Sequence, residues 1–215
     1  MVDFDQLNDG PTRVSVVAVD VETGEEVVFD TRNERIGVEH LLASAALIPD
    51  FQPVTINGRV LVDGGLADNV PVDVVLSEPP DLPLTCFALD LFPTHALPPA
   101  HLLQAAQRQS DLMFANQTRR SLRDQREIWR LRRPGHPASV HWLEYHGTSD
   151  EIAMKSYDFS GAILKRRWHV GEQDMRAALR TWRETPARSS GLMVYPPVQH
   201  PDAFEATDNV ARQSG

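Results

Sequence analysis

The chain has 215 residues, and 41% of them are hydrophobic, which is enough to form the core of a globular protein of ordinary size. Its formal net charge of −9 argues against a nucleic acid partner, because a phosphate backbone requires basic surfaces. The sequence contains no apolar run long enough to span a bilayer and no signal region, which predicts a cytoplasmic or peripheral membrane location.

The first part of the chain alternates short strands, turns and helices. Strands are predicted at residues 13–20, 27–29, 54–56, 60–62 and 84–91, and short helices at residues 38–47 and 70–76. Asn57-Gly58 predicts a tight hairpin, because both central residues of such a turn need positive φ. The nearly continuous apolar run Leu84–Leu91 predicts a strand buried on both faces. The opening residues indicate the approach to a sheet strand, which predicts that the chain starts inside a larger domain.

The second part of the chain is more helical. Its pattern predicts a long helix at roughly 100–132, a strand at 139–146 and an amphipathic helix at 158–183. The last helix carries an apolar stripe at positions 164, 168, 175, 179 and 182, which we expect to belong to the core rather than to a lipid-binding face. From residue 186 the sequence is rich in Pro and Ser without periodicity, which predicts a disordered tail. Together these elements predict an α/β fold.

The run Val62–Pro71 is the segment whose residues point most specifically to a functional site. Asp63 follows an apolar strand and precedes two consecutive glycines, Gly64 and Gly65, so its carboxylate lies where the backbone turns sharply. Two interpretations are open: a catalytic carboxylate, or a turn carboxylate that accepts hydrogen bonds from nearby amides. Downstream, Asn69 is predicted to cap the next helix.

Three ordered segments around Asp63 resemble the patatin-like phospholipase family. Residues 13–24 resemble the strand and turn that members carry upstream of their aspartate. Residues 43–54 resemble the Ala-Ser-x-Ala-x-Pro-x-x-Phe-x-Pro-Val segment of that family, and residues 56–65 resemble the turn and strand that deliver its Asp-Gly-Gly motif.

The resemblance implies the C-terminal part of a patatin-like three-layer sheet-and-helix fold with a helical extension. We therefore predict three segments: 1–95 as the C-terminal part of a catalytic domain, 96–185 as a helical extension with one strand, and 186–215 as a disordered tail. The resemblance also implies a lipid acyl hydrolase that uses a Ser-Asp dyad on a lipid or ester substrate, in which Asp63 is catalytic and Gly64 and Gly65 support the motif.

The sequence contains no Gly-x-Ser-x-Gly elbow, which the family places upstream of its aspartate. Ser44 lacks the small-residue elbow that exposes a nucleophile, and no pattern in the sequence places a base beside Ser160. We therefore expect the chain alone to be inactive and an N-terminal half to come from a longer product or a separate chain. No cofactor is predicted. No metal site is predicted either, because the spacing of His136, His141 and His146 puts successive members on opposite faces of a strand.

Two further interpretations remain open. In the first, the chain is a non-enzymatic interaction domain that self-associates through an exposed sheet edge. In the second, it is a truncated remnant of a hydrolase. For the enzymatic interpretation, transient contact with a membrane surface is also expected.

Overall fold

The structure, a computed structural model, describes residues 2–96, 98–145, 160–185 and 190–197, and these residues form a mixed α/β fold. They divide into two compact units, Met1–Glu78 and Pro79–Gly215. The α/β class predicted from the sequence is confirmed. The three segments predicted from the sequence, with boundaries at 95 and 185, stay a prediction.

The first unit contains a four-stranded antiparallel sheet. Its strands lie in the order β2-β1-β4-β3. Their bounds are β1 Ser15–Asp20, β2 Glu26–Asp30, β3 Val54–Ile56 and β4 Arg59–Asp63. Three helices accompany them, α1 Phe4–Asp9, α2 Val38–Ser44 and α3 Val72–Leu76. The predicted hairpin is confirmed, since Asn57 and Gly58 both have positive φ between β3 and β4.

The core of the first unit lies between the sheet and α2, which packs against β1, β3 and β4. Its buried members are Val16, Ala18, Phe29, Ile36, Ala43, Ile56 and Leu61. The opening residues form helix α1 rather than the approach to a strand, because the Asp3 side chain caps the helix by accepting a hydrogen bond from the Gln6 amide at 3.0 Å.

The second unit contains a three-stranded parallel sheet in the order β5-β6-β7. Its strands are β5 Leu84–Asp90, β6 Pro137–Glu144 and β7 Gly191–Tyr195. The long helix α4, Leu102–Arg132, connects β5 to β6, and α5, Gly161–Glu184, connects β6 to β7. Both connections are helical crossovers, as parallel strands require.

Strand β7 corrects the prediction of a disordered tail, which is wrong for residues 191–195. The apolar run Leu192–Tyr195 pairs with β6, and Leu192 is buried opposite Ala138. This pairing is long-range in sequence, so a local reading dominated by Pro and Ser misses it. The rest of the predicted tail lies outside the described residues, apart from Ser190, Pro196 and Pro197.

Strand β5 is buried on one face rather than on both. Ala88 is buried, whereas the neighbouring Leu89 is 63% exposed. Within the described residues β5 pairs only with β6, so it is an edge strand of this sheet. A continuous apolar run therefore did not specify burial on two faces here.

The apolar stripe predicted for α5 is not core along its whole length. Trp168 is 79% exposed, and Leu164 and Trp182 are exposed as well. The helix buries Asp174 and Ala178 instead, one turn apart, and the small Ala178 side chain allows close approach to the sheet. The buried face of α5 is therefore rotated away from its most hydrophobic face.

Candidate functional site

Asp63 is the last residue of β4, at the point where the chain leaves the four-stranded sheet. It lies opposite Ala18 of the central strand β1, and its backbone N–H donates to the Ala46 carbonyl at 3.1 Å. The Asp63 backbone is thus held both by the sheet and by the end of the α2 segment. Such double anchoring fixes where its carboxylate can reach.

The two glycines after Asp63 form a single turn of 3₁₀ helix, Gly64–Leu66. Gly64 is buried, and a Cβ added there would lie 2.5 Å from the Val17 carbonyl oxygen. A Cβ on Gly65 would lie 3.0 Å from Asp63 Oδ1. The close approach of β1 therefore requires glycine at position 64, and the carboxylate itself crowds position 65.

The carboxylate of Asp63 is oriented by the turn that follows it. Its Oδ1 accepts a hydrogen bond from the Gly65 amide at 2.7 Å, and Oδ2 has no hydrogen-bond partner among the described residues. The side chain is half-buried. Burial raises the pKa of Asp63 above its ordinary value, and the Gly65 hydrogen bond opposes this effect. One oxygen is thus fixed, while the other remains able to accept a proton.

The hydrogen bond to Gly65 is the one that the turn interpretation of Asp63 predicted. It does not exclude the catalytic interpretation, because it uses only one carboxylate oxygen. Among the described residues, Asp63 accepts no hydrogen bond from a serine hydroxyl. Ser44 ends helix α2 and is half-buried, while Ser160 is the N-cap of α5 in the second unit.

The segment after the turn differs from its prediction. Helix α3 begins at Val72, its N-cap is Pro71, and no side chain caps it. Asn69 therefore does not serve as the N-cap. Asp68 accepts a hydrogen bond from the Val70 amide at 3.0 Å, which stabilises the bend between the 3₁₀ turn and α3.

Three buried carboxylates in the second unit were not identified as a group from the sequence. Asp90 and Glu144 end the adjacent strands β5 and β6, and Asp174 projects from α5 into the same cavity of about 290 Å³. Burial raises the pKa of Asp90, and the hydrogen bond that the Phe92 amide donates to Asp90 Oδ1 at 3.0 Å opposes this effect. Parallel strands bring their carboxyl ends together, which is the signal that could have grouped Asp90 with Glu144.

The histidines considered for a metal site lie in different settings. His136 precedes β6 and contacts the Leu82 carbonyl at 3.2 Å, whereas His141 is buried within β6. His146 lies outside the described residues. In the part of the chain that the structure describes, no three His, Cys, Asp or Glu side chains are grouped to hold a metal ion. None of the helices described there is sufficiently long and apolar to cross a membrane.

Comparison with protein families gives two matches along the chain. Residues 1–76 match the family model described as patatin-like phospholipase, and this range contains the whole Asp63 turn. Residues 104–189 match a second model, described as patatin phospholipase. The first match coincides closely with the first compact unit, and the second lies within the second unit. Two models with related descriptions thus match successive parts of one sequence, and together they support a patatin-like phospholipase family.

Proposed function

We propose that this chain supplies the catalytic base, Asp63, of a lipid acyl hydrolase that works through a Ser-Asp dyad. The observation that carries the proposal is the state of the Asp63 carboxylate. It is half-buried at a strand end, one oxygen is fixed by the Gly65 amide, and the other has no partner in the described residues. A pKa raised by burial strengthens a carboxylate as a proton acceptor.

In the proposed reaction, Asp63 moves one proton in each half of the cycle. It takes the serine hydroxyl proton as the serine oxygen attacks the ester carbonyl, and it returns that proton to the departing alcohol. In the second half it takes a proton from water, whose oxygen attacks the acyl group, and the proton returns to the serine oxygen as the acid leaves. The hydrogen bond from the Gly65 amide holds the carboxylate in position, and the hydrogen bond from the Asp63 amide to the Ala46 carbonyl holds the backbone that carries it.

The serine and the donors that stabilise its oxyanion must come from elsewhere, because these 215 residues contain no Gly-x-Ser-x-Gly elbow. We propose that a segment upstream of Met1, or a neighbouring reading frame, supplies them. The chain alone then hydrolyses no ester.

The test is turnover of a p-nitrophenyl ester by the pure chain, alone and after it is joined to or mixed with the segment that carries the serine elbow. We expect no turnover from the chain alone and clear turnover from the combination. Turnover by the chain alone that is lost in Asp63→Asn would contradict the proposal that the serine is supplied by another segment.

A second candidate function, a non-enzymatic interaction domain, is favoured by strand β5. Leu89 of β5 is 63% exposed, and β5 pairs only with β6 among the described residues. Apolar side chains at an open strand edge promote association between copies. Light scattering after size exclusion tests this function: a stable oligomer dispersed by Leu89→Lys supports it, and a monomer at all concentrations contradicts it.

Transient membrane contact is part of the proposed lipid function. Trp168 and Leu164 are exposed one turn apart on α5, with Lys165 and His169 beside them. An aromatic ring beside basic side chains is typical of helices that lie at a lipid interface. We propose that this part of α5 makes the contact.

A further inference from the structure

A groove of about 730 Å³ lies in the second unit, between the carboxyl-terminal half of α4 and strand β7. On the β7 side it is lined by Ser190, Gly191, Leu192 and Met193. Consecutive strand residues direct their side chains to opposite faces of a sheet, so a groove that touches both Leu192 and Met193 runs along the edge of the strand. Among the described residues β7 pairs only with β6, and the groove follows its other edge.

Strand β7 lacks the residues that commonly protect an edge strand from pairing. Gly191–Tyr195 contains no charged side chain and no proline, and its five residues are an average length for a strand. Backbone N–H and C=O groups at such an edge form a template for a further strand. Pro196 follows directly, and a proline limits how far the pairing can extend. The edge is therefore suited to accept one extended segment.

The opposite wall of the groove is basic. Three arginines and two carboxylates of α4 line it: Arg123, Asp124, Arg126, Glu127 and Arg130. The basic segment, residues 119–133, holds seven arginines against these two carboxylates, a local charge of +5 in a chain whose net charge is −9. All seven arginines are exposed. Such a segregation of charge favours an anionic partner.

The arginines of the groove are available to such a partner. Arg126 forms no ion pair among the described residues. Arg123 and Arg130 pair with Asp124 and Glu127 of the same helix, at 3.2 and 2.6 Å, and both arginine side chains are mostly exposed. Exposed ion pairs of this kind contribute little free energy, so the carboxylates of a partner can replace them.

The spacing of these arginines matches an extended chain. Positions 123, 126 and 130 are three and four residues apart, which puts them on one side of the helix over about 10.5 Å. Three carboxylates at alternate positions of a strand lie on one face and span about 13 Å. The length of the arginine side chains absorbs the difference. Because α4 packs against β7, a strand added to this edge presents one of its two rows of side chains to the arginines.

We infer that the groove binds an acidic, extended segment of a partner protein. The segment adds to β7 as a further strand, and its alternate carboxylates pair with Arg123, Arg126 and Arg130. A single-stranded nucleic acid fits less well, because Trp129, the only aromatic residue of the basic segment, is 3% exposed and cannot stack on a base. No residue of the groove belongs to the Asp63 turn or to α5, so the inference is independent of ester hydrolysis and of membrane contact.

Fluorescence anisotropy with the full chain tests the inference. The labelled probe is the synthetic peptide acetyl-Glu-Val-Glu-Val-Glu-Val-amide, in which the carboxylates alternate. One control has the same composition in blocks, Glu-Glu-Glu-Val-Val-Val, and another has lysine in place of glutamate. We expect the alternating peptide to bind with saturation, the block peptide to bind about fivefold more weakly, and the lysine peptide not to bind. Absence of saturable binding by the alternating peptide, or equal affinity for the alternating and block peptides, overturns the inference.

Strand addition has a signature of its own. In a strand, only alternate amides face the neighbouring strand. Two further probes therefore carry N-methyl groups on either the three glutamate amides or the three valine amides. We expect one of them to bind about tenfold more weakly than the parent peptide and the other to stay within about twofold of it. Equal weakening of both contradicts pairing along β7.

Two arginine variants locate the site on the protein. Arg126→Gln is expected to weaken binding of the alternating peptide about tenfold, whereas Arg132→Gln, an exposed arginine of the same helix that does not line the groove, leaves it unchanged. Both variants remove one positive charge, so a non-specific attraction weakens equally in both, and that result contradicts the assignment. An Arg126→Gln chain that binds the peptide normally but loses binding to phosphatidylglycerol vesicles identifies a lipid surface instead and overturns the inference.

Discussion

The Asp63 turn shows how strictly a site can depend on one glycine. At position 64 a methyl group would meet the Val17 carbonyl oxygen of strand β1 at 2.5 Å, closer than a carbon atom can approach. Because both strands are anchored in the sheet, the contact can be relieved only by moving the turn that carries Asp63. Gly64 thus serves packing and site geometry together.

We predict that Gly64→Ala lowers the free energy of unfolding of the first unit by about 2 kcal/mol, since overpacking at a rigid contact forces the backbone to shift. Chemical denaturation measures the change. Gly135→Ala, in the second unit, is the control for an added methyl group without contacts, because a Cβ at Gly135 meets no atom within 4 Å. Equal stability of the two variants would mean that β1 and the turn are not packed as described.

Asp30 is a second carboxylate of the first unit whose environment sets its protonation. Burial acts to raise its pKa, but hydrogen bonds from Ser15, the Arg32 amide and Arg13 outweigh it and hold the pKa at about 2. The Arg13 Nε–Oδ2 and Ser15 Oγ–Oδ2 distances are both 2.6 Å. A carboxyl group with a pKa depressed on folding stabilises the folded state above its unfolded pKa.

The expected consequence is a loss of stability in acid. As the pH falls from about 4, near the unfolded pKa of aspartate, to about 2, Asp30 becomes protonated and its contribution disappears. Asp30→Asn should therefore cost about 1–3 kcal/mol of unfolding free energy at pH 7 and little at pH 2. Urea unfolding across this range, with exposed Asp50→Asn as the control, checks it. A constant difference between Asp30→Asn and the natural chain at every pH would refute the prediction.

At the scale of elements, local signals predicted some features well and others not at all. Asn57-Gly58 specifies its hairpin because the two residues themselves tolerate positive φ. Strand β7 and the ring stack at His141 depend on pairing between β6 and a strand about fifty residues further along, which no local pattern encodes. The Asp63 turn could be predicted from the sequence because its residues are contiguous, whereas the ring stack at His141 could not.

Helix α5 shows the same limit in its periodicity. The spacing of its apolar residues predicts an amphipathic helix, and the helix is present over Gly161–Glu184. Which face is buried depends on the sheet beneath it, and that face passes through Asp174 and Ala178. The remaining apolar side chains, Trp168 above all, are left exposed.

For this helix we predict that Trp168→Ser weakens binding to anionic phospholipid vesicles about tenfold, because the indole ring no longer enters the interface. Vesicle co-sedimentation measures the partition. The control is Leu112→Ser, which removes an exposed apolar side chain from α4 beside the acidic Asp111. If both variants bind like the natural chain, α5 is not the membrane contact.

At the scale of the whole molecule, the chain joins two units with different sheet designs. An antiparallel sheet carries Asp63, and a parallel sheet carries His141 and the buried carboxylates of β5 and β6. Sequence reasoning predicted the α/β class from the mixture of elements. The division between Glu78 and Pro79 could not be predicted in the same way. Strand β5 follows the Asp63 segment closely in sequence, but it pairs with β6 and therefore belongs to the second unit.

Whether Asp63 acts as the base of a Ser-Asp dyad is measured by kcat/KM for a p-nitrophenyl ester in the protein that includes the serine elbow. We predict that Asp63→Asn lowers kcat/KM about a thousandfold, since the amide cannot accept the serine proton, while Asp50→Asn stays within twofold of the natural protein. An Asp63→Asn protein that is folded and as active as the Asp50→Asn control would contradict the claim.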